Sequence, residues 1–124
     1  TADYFGQYQK IDVALDPFPY GGGTTTCDAL FMGVPVVTLA GDTAVGRGGL
    51  SILSNLGLAE LVARDIEHYQ RIAIDLAQDL PRLSRLRAEL RDRMHGSPLM
   101  EAPRFARNVE AAYREIWQAW CTRK

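Results

Sequence analysis

The sequence is short of lysine and cysteine and has no long apolar run, and each shortage closes off a class of function. Only Lys10 and Lys124 occur, so no lysine precedes a Ser or Thr in a glycine-rich turn. ATP or GTP hydrolysis at a P-loop is thereby excluded, because that loop needs its lysine at the terminal phosphates. Cys27 and Cys121 lie far apart with no Cys-x-x-Cys or Cys/His spacing. That pattern argues against a metal knot or a secreted disulfide framework and makes the cytoplasm the expected compartment. The best candidate for a membrane span, Val34 to Ala40, falls far short of the about 18 apolar residues required. Charge of one sign is also missing: fourteen Lys+Arg against fifteen Asp+Glu leave a formal net charge of -1. No strong field is available for nucleic acid or an anionic membrane, so neither is an expected partner. Thr1-Ala2-Asp3-Tyr4 has neither an initiator Met nor the cationic start of a signal peptide, and the chain is expected to be part of something larger.

What is present suits one globular domain over residues 1–124. Hydrophobic residues make up 47% and charged residues 23% of the 124. A chain of this size buries roughly two-thirds of its unfolded surface, enough for a core without staples. Ile11 to Leu15 is a short apolar run closed by Asp16-Pro17, which reads as a buried parallel strand. A loop with two prolines and three glycines follows. Residues 24–33 read as a helix, with Thr25 and Asp28 spaced as in a capping box and Gly33 at its end. Pro35 to Ala40 is β-branched and apolar, a second strand, and a second glycine-rich loop runs from Gly41 to Gly49. A short helix over 50–56 stops at Gly57, and Leu61 to Ala63 form a brief third strand. Asp65 then caps a helix whose apolar face is Ile66, Tyr69, Ile72, Ala73, Leu76, Ala77 and Leu80. Pro81 opens a further helix with Leu83, Leu86, Leu90 and Met94 inward and the arginines 82, 85, 87, 91 and 93 on a solvated face. After Gly96-Ser97-Pro98, a last helix carries the stripe Phe105, Val109, Ala112, Tyr113, Ile116, Trp117 and Trp120. The fold class is therefore α/β, with a short parallel sheet and a helical C-terminal region.

Gly21 to Thr26 lies where a strand turns into a helix, the place where free N–H groups and the positive end of the helix dipole meet an anion. Glycines allow close backbone approach and the threonines add hydroxyl donors, a chemistry suited to a diphosphate. A turn that merely caps a helix has the same look. Asp28 has two readings, a bond back to its own cap and hydrogen bonds to a ribose diol. Arg47, in the second glycine-rich loop, suits a phosphate or a structural ion pair. The dinucleotide fingerprint starts at Gly21 but meets Thr26 where its third glycine belongs, although Asp42 falls about 20 residues on, as a ribose-binding acid would. His68, His95, Ser51, Ser54 and Ser84 have no catalytic context, and no catalytic residue is assigned.

Ile11 to Tyr20, Gly21 to Leu30 and Met32 to Leu39 together closely resemble the C-terminal catalytic-region segment of the O-linked N-acetylglucosamine transferase and SPINDLY-like glycosyltransferases. The likeness continues through Arg47, Ser51-Ile52-Leu53, Gly57-Leu58, Glu60-Leu61, Tyr69, Ser97-Pro98-Leu99 and Glu110 to Trp117, nearly the whole chain. The resemblance implies a nucleotide-sugar-binding, Rossmann-like three-layer lobe, the second half of a two-lobed GT-B enzyme, often preceded by tetratricopeptide repeats, acting on a UDP-sugar donor and a protein Ser or Thr, and no metal or other cofactor is expected. It implies that Thr24 and Thr25 hold the diphosphate and Asp28 the ribose. Where the animal enzyme has a His about eight residues ahead of the strand, this chain has Tyr4, a ring able to stack on uracil. Tyr4, Gly22, Gly23, Thr24, Thr25, Asp28 and Arg47 form the expected donor set, and the expected sugar is N-acetylglucosamine. The other readings are a dinucleotide-binding Rossmann domain and a non-catalytic interaction domain. Since GT-B enzymes work between two lobes, this chain alone is expected to be inactive, and at least one of Trp117 and Trp120 to be exposed.

Overall fold

A computed structural model describes residues 2–123. The helix α1 (Ala2–Gln7) and a 3-10 turn (Tyr8–Lys10) precede β1 (Ala14–Leu15), and α2 (Thr24–Phe31) leads to β2 (Val36–Leu39). After a 3-10 turn (Val45–Arg47) come α3 (Gly48–Asn55), a second such turn (Ala59–Leu61) and β3 (Val62–Ala63). The helices α4 (Ile66–Gln78) and α5 (Leu80–His95) follow, then a 3-10 turn (Pro98–Met100) and α6 (Ala102–Thr122). The strands pair in parallel in the order β1-β2-β3, with Ala14 opposite Val36, Leu15 opposite Val37, Thr38 opposite Val62 and Leu39 opposite Ala63. This is the expected short parallel sheet.

In the central strand, Val36, Val37 and Thr38 are all buried, so helices cover both of its faces. The β1-α2-β2 and β2-α3-β3 crossovers supply one face, and α4 packs on β2 and β3. Leu30, Val34, Val37, Leu53, Leu58, Leu61, Leu76 and Leu90 form the centre of the core, each with no exposed surface. Gly33 ends α2 at φ +81, and a Cβ there would lie 2.8 Å from the Arg87 carbonyl oxygen. Both the backbone conformation and the close passage of α5 require glycine at this point.

Several boundaries differ from the sequence expectations, and each difference has a local cause. β1 is two residues long, because Pro35, directly ahead of the neighbouring strand, has no N–H to carry the ladder back toward Asp12, and the Ile11 carbonyl is taken by the Arg87 Nη1 at 2.6 Å. The arginine face of α5 is thus not merely solvated. Arg91 Nε donates to the Phe31 carbonyl at 3.0 Å with its guanidinium 5.0 Å over the Phe31 ring, and Arg82 reaches Glu60. Asp65 caps α4 as expected, its Oδ1 accepting from the His68 N–H at 2.7 Å. Asp79 caps α5 in the same way through the Arg82 N–H, and this break moves Leu80 out of the α4 stripe to an exposed position. Ile66 is exposed too. The α1 helix had no counterpart in the sequence reading.

Candidate functional site

The capping box expected of Thr25 and Asp28 does not form. The helix begins at Thr24 as expected, but Gly23, two residues ahead of Thr25, occupies the cap without a side-chain hydrogen bond. The first N–H to turn back into the helix is that of Cys27, to the Gly23 carbonyl at 3.0 Å. The N–H groups of the first turn are therefore left for an outside acceptor. Gly23, Thr24 and Thr25 are exposed, while Thr26 is buried beneath them. A Cβ on Gly23 would meet nothing within 4 Å, whereas one on Gly22 would lie 2.7 Å and 2.6 Å from the Thr25 and Thr26 hydroxyls. Gly22 lets the threonine hydroxyls fold over the turn, and Gly23 leaves its outer side open.

With the cap unmade, the Asp28 carboxylate faces elsewhere. Its Oδ2 accepts from the Tyr4 hydroxyl at 3.0 Å, and the Tyr4 and Tyr8 hydroxyls lie 2.8 Å apart. This chain of bonds fixes α1 against α2. The Tyr8 bond, desolvation and the Asp28 bond, in that order, keep Tyr4 protonated well above the ordinary tyrosine range. Residues 24 positions apart in sequence are thus in contact.

Arg47 is exposed at the end of the second glycine-rich loop, its Nη1 donating to the Gly41 carbonyl at 3.2 Å. Its neighbours press on the first loop: a Cβ on Gly46 would lie 3.4 Å from the Pro19 carbonyl oxygen, and one on Gly48 3.8 Å from that of Gly22. The structure therefore brings Arg47 to the side of the turn but engages its guanidinium within its own loop. Asp42 lines a different cavity, a cleft of about 700 Å³ with Phe18, Leu39 and Ile66 at the ends of β2 and β3. It is not placed with Asp28. Thr25 lines a smaller cavity of about 160 Å³ with Asp16 and Tyr8. Among the described residues, no three His, Cys, Asp or Glu side chains gather as metal ligands. No helix among them is long and apolar enough to cross a membrane.

Asp16, Thr38, Tyr8 and Tyr69 belong to this site and had no site role in the sequence reading. Asp16 is 4% exposed and accepts from the Gly22 N–H and the Thr38 hydroxyl, each at 2.7 Å, while its carbonyl takes the Tyr69 hydroxyl at 2.9 Å. The available signal was a carboxylate at the mouth of a buried strand directly ahead of a glycine turn.

A parallel sheet with glycine-rich turns at the carboxyl ends of its strands, and a helix N-terminus open to an anion, defines a Rossmann-like nucleotide-binding class of lobe. The family model of glycosyl transferase family 41 matches residues 4–109, and the chain belongs to that family. It is 46% identical over 119 residues to the probable UDP-N-acetylglucosamine--peptide N-acetylglucosaminyltransferase SPINDLY of Arabidopsis thaliana. That match covers 96% of this chain and 13% of the relative. The SEC protein of the same plant, given the same probable activity, is 34% identical over 113 residues, covering 90% and 12%. A mutant of the Thermobaculum terrenum O-GlcNAc transferase superposes with a TM-score of 0.89 at 44% identity, covering 98% of this chain and 24% of that one. The fold is that of one lobe of a GT-B glycosyltransferase, and the chain spans about 13% of the length of the curated relatives it matches.

Proposed function

We propose that this chain is the donor-binding lobe of an enzyme that moves N-acetylglucosamine from a UDP donor to a Ser or Thr of a protein acceptor in the cytoplasm. The observation that carries the reading is the uncapped start of α2, exposed at Gly23 to Thr25, one turn from the Asp28 carboxylate. The names of the SPINDLY and SEC relatives supply the sugar and the peptide acceptor. In this reading the diphosphate sits against Gly22 on the N–H groups and hydroxyls of Gly23 to Thr25, the ribose diol donates to Asp28, and the base lies on Tyr4. Arg47 swings from the Gly41 carbonyl toward the phosphates. Donors fixed in place before the reaction stabilise the charge that develops on the departing UDP, which is the lobe's share of the catalysis. No metal or other cofactor enters this scheme. The rest of the enzyme, with its other lobe and tetratricopeptide repeats, brings the acceptor and contacts the bare apolar face of α6.

Titration with UDP tests the reading. Saturable binding that survives EDTA is expected, and Thr24→Ala/Thr25→Ala should weaken it at least tenfold, since each hydrogen bond to a charged group is worth about 1.5 kcal/mol or more. Unchanged affinity in that variant sinks the assignment. Binding of NAD in place of UDP restores the dinucleotide reading, and binding of GDP in place of UDP moves the base contact away from a uracil. The isolated chain should transfer no sugar to a peptide.

A further inference from the structure

Two glycine-rich loops of this lobe are wrapped round a single buried carboxylate. Asp16 directly follows β1, and its N–H completes the sheet by donating to the Val37 carbonyl at 2.9 Å. Its Oδ1 holds the Gly22 N–H and its Oδ2 holds the Thr38 hydroxyl. A Cβ on Gly21 would lie 2.9 Å from Oδ2, one on Gly22 3.2 Å from Oδ1, and one on Gly49 2.8 Å from Oδ2 while colliding with the Thr38 hydroxyl. Gly49 stands in the first turn of α3, so the start of that helix closes over the carboxylate from the far side.

A charged group this deeply buried is costly unless its acceptors are filled by well-aimed donors. It also lies under a turn with free N–H groups, where its charge opposes an incoming anion. The compensating effect is directional. By drawing the Gly22 N–H inward, Asp16 fixes the Gly21–Gly22 peptide plane at the entry to the turn, and the amides of the α2 first turn are left facing out. Gly49 lets the start of α3, just after Arg47, pack closely against the carboxylate.

We propose that Asp16 is the positioning residue of the donor turn: it touches no part of the donor and sets the turn through Gly22 and Thr38. The proposal rests on the donor-site reading above. Its signature is selectivity, because the turn serves the phosphates while Tyr4 and Asp28 serve the nucleoside. Affinities of the chain for UDP and for uridine, with amide hydrogen exchange at Gly22, test it. Asp16→Ala should reduce the ratio of UDP to uridine affinity at least tenfold and speed Gly22 exchange at least tenfold. Asp16→Asn, which keeps an acceptor for Gly22 and offers an N–H to Thr38, should bring both readouts back to within about threefold of the native chain. Where Asp16→Ala does not fold, Thr38→Val, close to native in shape, should move both readouts in the same direction by a smaller factor. Equal losses of UDP and uridine, or unaltered Gly22 exchange in folded Asp16→Ala or Thr38→Val, overturn the proposal. If Thr24→Ala/Thr25→Ala weakens UDP binding while the Asp16 and Thr38 variants leave the ratio of UDP to uridine affinity unchanged, the donor reading stands and this proposal falls. If the native chain binds no UDP, the donor reading falls and the role of Asp16 in it falls too.

Discussion

The helices α5 and α6 carry similar sequence stripes and have opposite fates. α5, with 16 residues, buries Leu83, Leu86, Leu90 and Met94, and its arginines reach the carbonyls of Ile11 and Phe31. α6, with 21 residues and far more aromatic surface, buries none. Phe105, Tyr113, Ile116, Trp117 and Trp120 are 61–69% exposed, and only Val109 is half-buried. The expectation that at least one of the two tryptophans is exposed holds for both. An apolar stripe shows that a helix has a face to bury; whether it does so depends on what lies opposite. A contiguous face of this kind exceeds what scattered surface apolar residues account for.

The largest expected effect breaks the comparison at its core. Leu90→Ala should destabilise the chain by about 2–5 kcal/mol in a denaturant titration, through lost burial and the cavity left behind. Trp117→Ala, a larger truncation, should change the same quantity by less than about 0.5 kcal/mol. Comparable losses would mean that α6 is packed in solution. Next in size, Arg91→Ala should cost about 1 kcal/mol, from its bond to the Phe31 carbonyl and its stacking on that ring. Arg107→Ala on α6 should cost less than about 0.5 kcal/mol. The smallest effect concerns pH and sharpens the packed side alone. Burial and, second, the nearby Asp16 raise the pKa of Tyr69. A group with a raised folded pKa gives stability that is complete below the unfolded value of about 10 and is lost as pH rises through the folded value. Stability should therefore decline above about pH 10, and less steeply in Tyr69→Phe, as followed by denaturant midpoints across that range.

How far the sequence could be read depended on the range of the interaction. The cap at Asp65, the stop at Gly33 and the inward faces of α4 and α5 depend on neighbours within one or two helical turns, and they stand nearly as expected. β1 came out short because Pro35, directly ahead of the neighbouring strand, has no N–H to extend the ladder toward Asp12. The capping box failed because Asp28 had a competing donor in Tyr4, on a helix that local spacing does not announce. Leu80 left its stripe because Asp79 found a better role as the next cap. In the candidate site, the glycine and threonine turn was legible because its chemistry is contiguous. Asp16 was not, because its importance lies in Thr38 and Gly49, brought to it from 22 and 33 residues on.

By itself the sequence determined the parallel α/β order, the place of the anion-facing turn and, through its motifs, the family to which the chain belongs. Those properties are written in local spacing: which residues alternate, which turn and which cap. Only the tertiary structure decided that the turn is left uncapped, that Tyr4 meets Asp28, that both glycine loops close on Asp16 and that α6 stands bare. Each of these is a choice among competing partners for the same hydrogen bond or the same apolar face, and competition between distant groups is resolved only when the chain has brought them within reach.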